Sequence, residues 1–207
     1  MPCCRNPIPP IPYQKASEKL RGGYAGYVKG SHIGIIDKET WNAVQLEFTR
    51  REEFVKEHGL KGYGYGRECN PFTSRIFCGE CGSSYTRHTW KSRGIMQWQC
   101  KNHMTNGKVT CVNRFVSQSD LESGFVKAYN MLMSRKEDLI LRWKNTIETG
   151  NALEKLRAKQ FMELSEQPEL ECYVPELAQL VIQKVIVKGA KKYEFTFMDG
   201  SRETVSV

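Results

Sequence analysis

Four cysteines place the tightest limit on what this chain can become. Two sit in the turn Cys78-Gly79-Glu80-Cys81, followed by Gly82, and two more follow at Cys100 and Cys111. Thiolates are soft ligands that suit Zn2+, and a tetrahedron closed by four of them leaves no position for a reactive water. The two-residue gap lets both sulfurs of the first knuckle reach one metal from a tight turn. Gly82, just past that turn, is free to take the left-handed backbone such a turn often requires. The reading is one structural zinc ion held by Cys78, Cys81, Cys100 and Cys111. The competing readings are a redox dithiol, a disulfide, or a chance coincidence of spacing. Cys69 is a weak rival ligand, and Cys3, Cys4, Cys69 and Cys172 are otherwise read as free thiols or ordinary buried positions.

The surroundings of the cysteines are basic. The chain of 207 residues carries a formal net charge of +8, but residues 121–207 are balanced in charge. Between residues 75 and 114 seven bases (Arg75, Arg87, Lys91, Arg93, Lys101, Lys108 and Arg114) face one acid, Glu80. Four thiolates and one Zn2+ remove about two of those charges, and the remaining positive field favours a polyanion, nucleic acid first. Arg75, Arg87, Lys91, Arg93, Lys101 and Arg114 are therefore the expected contacts to a nucleic-acid backbone, which the family resemblance given below makes double-stranded DNA. Trp90 and Trp98 are interleaved with them, as stacking platforms or as cover for the metal. A merely solubilising basic surface is the bland alternative.

The rest of the composition excludes more than it selects. No apolar run approaches the roughly 18 residues needed to span a bilayer, and residues 1–12 lack the apolar core of a signal peptide. The expected setting is a reducing cytoplasm, with no membrane partner, which disfavours disulfides. No HExxH, GxSxG or P-loop occurs, and the glycine-rich run at 59–66 lacks the lysine and hydroxyl of a phosphate loop. Neither an enzyme nor a small-molecule substrate is expected. His32, alone before a helix, is read as a packed or capping residue.

The expected fold is α+β. Asp37 is a good N-cap for a helix over 38–57, in which Trp41, Val44, Gln45 and Phe48 form a single stripe expected to be buried. A ribbon follows, with strands near 85–89 and 95–100 joined by a turn at 91–94. Ser117 to Asp120 has capping-box spacing and opens a helix to about residue 133, with Leu121, Phe125, Tyr129 and Leu132 as its stripe. The run 136–166, broken at Gly150-Asn151, reads as a helical hairpin or a coiled-coil-like segment. A short helix from Pro175 leads to strands around 184–188 and 193–197, and Asp199-Gly200 is a strong hairpin turn. The segments are thus 1–66, a zinc beta-ribbon at 67–117, a helical segment at 118–167 and a C-terminal helix and β-hairpin at 168–207.

The order of these motifs resembles one family. His32-x-x-Ile35-Ile36-Asp37-x-Glu39-x-Trp41-x-x-Val44-Gln45, with Arg50-Arg51 behind it, resembles the end of the DNA-binding recombinase domain of large serine recombinases. Phe77-Cys78-x-x-Cys81-Gly82-Ser83, Cys100 and Cys111-Val112-Asn113-Arg114 resemble the zinc beta-ribbon domain of the same proteins. The helix near Leu121, the run from Gly150 to Gln160 and the terminal hairpin from Val185 to Gly200 also fit. The resemblance implies binding to attachment-site DNA, a structural zinc, and contacts between recombinase subunits through the helical segment. The family's N-terminal catalytic domain, with its nucleophilic serine, has no counterpart here. The function expected is a zinc-stabilised DNA-binding and subunit-interaction module of a serine site-specific recombinase, without strand cleavage of its own. The rivals are a protein-interaction module that binds a partner recombinase with incidental DNA contact, and a thiol oxidoreductase using Cys78 and Cys81.

Overall fold

In a computed structural model, residues 34–64, 69–90, 95–105, 108–111 and 115–207 are described, without the side chains of 90, 95, 104, 105, 108 and 109. Helix α1 spans Lys38–Glu57, and Asp37 caps it as the sequence predicts, its carboxylate accepting from Thr40 N at 2.8 Å. Three short strands come next in the ribbon region: β1 (Ile76–Cys78), β2 (Tyr85–Trp90) and β3 (Ile95–Cys100). They are followed by β4 (Met104–Thr105), β5 (Lys108–Val109) and β6 (Phe115–Ser117). Helices α2 (Gln118–Ser134), α3 (Lys136–Thr149), α4 (Ala152–Ser165) and α5 (Pro175–Val181) lead to β7 (Ile182–Gly189), β8 (Lys192–Phe197) and β9 (Arg202–Ser206).

Two sheets organise these pieces. One is the ribbon, β2-β3-β6, antiparallel throughout. The other runs β1-β7-β8-β9, so the C-terminal hairpin gains a fourth strand from the start of the cysteine region. That strand pairs in parallel, Ile76 opposite Val185 and Cys78 opposite Val187. The segments 67–117 and 168–207 therefore share a sheet, and residues 36–207 form one compact unit. A two-stranded piece, β4-β5, completes the loop before Cys111.

Helix α2 covers the larger sheet. Leu121, Phe125, Tyr129 and Leu132 are all buried, as their spacing predicts. A Cβ built on Gly124 would stand 3.4 Å from side-chain carbons of Tyr193, Phe195 and Val207, so the helix backbone packs close over the strands here. The break at Gly150-Asn151 is a turn between two helices. Asn151 and Glu154 form a full capping box at the start of α4. The hairpin is pinned to the sheet: Trp143 is buried, lies against Phe161, and donates Nε1–H to Asp199 Oδ2 at 2.9 Å. Asp199, read from sequence only as a turn residue, also accepts from Ser201 N at 2.9 Å.

The stripe expected to bury α1 is a correction. Trp41 is 56% and Phe48 54% exposed, and Val44 and Gln45 are exposed too. Ala43 and Phe54 are the buried positions, with Glu47 and Arg50 half-buried on the same face. An ion-paired polar face has displaced the larger apolar one. Arg157 of α4 reaches Glu47 at 2.6 Å, and Arg50 and Arg51 hold the same carboxylate at 2.9 and 2.6 Å. The guanidiniums of Arg50, Arg51 and Arg75 lie 5.2–5.3 Å from the centre of the Tyr63 ring, a cation–π arrangement that offsets part of the cost of crowding them.

Candidate metal centre

The four cysteines come from three places in the chain. Cys78 ends β1, Cys81 closes the first turn, Cys100 ends β3, and Cys111 follows β5. The knuckle forms as its residues predict. Gly82 takes φ +72°, and its N–H donates to Cys78 O at 2.9 Å while Cys78 N–H donates to Ser83 O at 2.9 Å. Pairing of Tyr85 with Cys100 across β2 and β3 brings the third cysteine alongside.

All four sulfurs lie within 4.8 Å of one another. Cys78 and Cys111 are 3.5 Å apart through sulfur, as are Cys81 and Cys100. A zinc tetrahedron with Zn–S bonds of about 2.3 Å has sulfur–sulfur edges of about 3.8 Å. The cluster matches that size, and it is far wider than a disulfide bond of about 2.0 Å. Cys69 is not part of it. The four sulfurs therefore fit a zinc site: the ion would join the two knuckles, with no ligand position left open.

Cys78, Cys100 and Cys111 are buried, and Cys81 is exposed. Burial, with smaller contributions from the neighbouring thiols, pushes the Cys100 thiol well above its usual range. Thiols held this close resist ionisation without a cation, which a divalent metal supplies. Burial and the sulfurs of Cys78, Cys100 and Cys111 likewise raise the Tyr85 phenol, which stays protonated. His103 is a positioning residue that the sequence reading missed. It is buried, its Nδ1 lies 3.0 Å from Cys111 O, and its backbone N–H donates to Cys100 O at 3.0 Å. It ties the third ligand to the fourth. Its place between Cys100 and Cys111 was the available signal.

The expected DNA contacts divide. Arg87 and Lys101 are exposed on the ribbon. Arg75 is not: at 1% exposure its guanidinium donates to Gln179 O and Ile182 O, at 3.1 and 3.0 Å, where α5 ends. Buried in that role, it presents nothing to a phosphate. Lys91, Arg93 and Arg114 lie outside the described residues. Trp98 is also a core residue, buried with Nε1–H donating to Gln118 Oε1 at 2.8 Å, so its ring is closed to a nucleobase.

Residues 71–130, which hold all four cysteines, match the family model of the recombinase zinc beta ribbon domain. No curated protein and no solved structure matches the chain. Among the described residues no helix is long and apolar enough to cross a membrane.

Proposed function

We propose that this chain is a DNA-binding and subunit-interaction module of a large serine site-specific recombinase, stabilised by a single structural zinc ion. One observation carries the reading: four sulfurs at zinc spacing lie inside the segment that matches a recombinase zinc ribbon. The metal's job is to hold the ribbon in shape, since four thiolates satisfy it. Exposed Arg87 and Lys101 supply phosphate contacts to double-stranded DNA, with Lys91, Arg93 and Arg114 as further candidates on the same segment. The helices within 118–167 carry contacts to recombinase subunits. Strand cleavage belongs to a different domain, and the cellular setting is the cytoplasm.

Two measurements test this. Elemental analysis after expression in zinc-replete medium should give one zinc per chain, and substantially less rejects the metal centre. Affinity for a DNA duplex should fall steeply with added salt. Arg87→Ala and Lys101→Ala should each weaken it across all sequences and lower the salt slope by about one. A salt-independent affinity overturns the DNA reading. The apolar exposure of α1 supports a second reading, in which the chain binds a partner recombinase and touches DNA incidentally. Reversing charge at Arg87 and Lys101 separates the two, because partner capture then survives unchanged while any DNA contact is lost.

A further inference from the structure

The ribbon sheet has two faces, and the fold uses one of them. Alternation along the strands puts Tyr85, Trp98, Cys100 and Val116 on one side, and all four are buried. Exposed Arg87 and Met96 lie at the outer end of that side. The opposite side carries Thr86 and His88 on β2, Gln97 and Gln99 on β3, and Phe115 and Ser117 on β6. None of these six is buried, and His88 and Phe115 are exposed. The three strands contain no acidic residue. Exposed Lys101 continues the alternation of Gln97 and Gln99 just past the end of β3.

The hydrogen-bonding groups of this open face are unequally engaged. Thr86 Oγ1 lies 3.1 Å from His88 Nε2 and donates to Gln99 O at 3.4 Å. Ser117 Oγ accepts from Asp120 N at 3.0 Å as the cap of α2. Among the described residues, the side-chain amides of Gln97 and Gln99 make no hydrogen bond. Each offers a donor beside an acceptor, from a central strand flanked on both sides. The major groove of DNA admits a β-ribbon, and adenine presents there an N7 acceptor beside an N6 donor, the pattern a glutamine amide meets with two hydrogen bonds. The thymine paired with it adds a methyl group that suits an aromatic ring, and Phe115 stands opposite Gln99 in the register. Alternate residues of a strand are about 6.7 Å apart, close to two base-pair rises of about 3.4 Å. The two amides therefore address base pairs within two steps of each other. Lys101, at the end of the row, supplies attraction to phosphate, which carries no base preference.

We propose that Gln97 and Gln99 are specificity-determining residues that bind adenine edges in the major groove of duplex DNA, with Phe115 against a neighbouring thymine methyl. The inference rests on the DNA-binding reading and adds a base preference to it. In the test, the full chain loaded with zinc selects from a pool of duplexes with a randomised core. The selected duplexes should share A·T pairs at two positions no more than two steps apart. In fluorescence anisotropy, Gln97→Ala and Gln99→Ala should each cut the preference for a selected duplex over a scrambled one about tenfold. Neither should change the salt slope, because an amide neutralises no phosphate. Placing 7-deazaadenine, which lacks the N7 acceptor, at one selected position should weaken the unsubstituted chain and should weaken one of the two glutamine variants no further. A merely structural role for the glutamines would not produce that coupling, and the modified duplex tests the contact even if a substitution disturbs the ribbon. Duplex binding at low salt without an A·T preference, or with one that survives both substitutions, overturns this inference and leaves the DNA reading intact. Failure to bind any duplex at low salt overturns the DNA reading and this inference with it.

Discussion

At the residue scale, Glu47 is the side chain on which the α1–α4 contact turns. Burial pushes its carboxyl up, but the hydrogen bonds from Arg50 and Arg51 and the charges of Arg50 and Arg157 outweigh that and bring it down to about 2 from 4.5. A carboxyl with a depressed folded value stabilises the fold above its unfolded value and loses that contribution as it is protonated. Stability should therefore decline as pH drops from about 4.5 toward 2. In denaturant titrations Glu47→Gln should remove that part of the pH slope. At neutral pH it should cost about 2–3 kcal/mol, because Arg157 keeps its burial and loses its partner. An unchanged acid slope in the variant means that this carboxylate is not the group responsible.

At the element scale, the first knuckle and β7 meet backbone to backbone. Gly79 N–H donates to Val187 O at 2.9 Å, and a Cβ on Gly79 would stand 2.7 Å from that same oxygen. Because the oxygen belongs to a strand, it cannot swing aside as a flexible side chain would. Gly79→Ala should cost about 1–3 kcal/mol by forcing the knuckle away from the strand, and the shift should be seen in thermal melts. Since it moves the turn that carries Cys78 and Cys81, zinc affinity should fall as well. A second prediction belongs to α4: Asn151→Ala removes the cap that accepts from Glu154 N at 3.0 Å, and should cost about 1 kcal/mol. The break at Gly150-Asn151 was legible because glycine and asparagine interrupt a helical pattern locally, although the capping box that Asn151 forms there was not read. The buried face of α1 was not legible. A count of apolar residues favours Trp41 and Phe48, whereas the face that docks is chosen by Arg157, more than a hundred positions away.

For the whole molecule, the larger sheet makes metal and fold a single problem. Cys78 is at once a sulfur of the cluster and the last residue of a strand paired with β7. Under the zinc reading, chelation should lower the melting temperature of the C-terminal sheet along with that of the ribbon. Near-ultraviolet dichroism from buried Trp98 and from Trp143 should then be lost in one transition. Two separate transitions, with the Trp143 signal persisting, would show that the ribbon folds independently of the sheet.

The four-cysteine cluster, the caps of α1 and α2, the buried stripe of α2 and the Asp199-Gly200 turn could all be read from the chain alone. Each depends on ligand chemistry or on geometry repeated over a few residues, which sequence spacing encodes directly. The parallel pairing of β1 with β7, the burial of Arg75 at the end of α5 and the exposed apolar face of α1 depend on residues brought together over about a hundred positions. For those, local propensity left several arrangements open, and only closing the sheet and pairing the buried charges selected one.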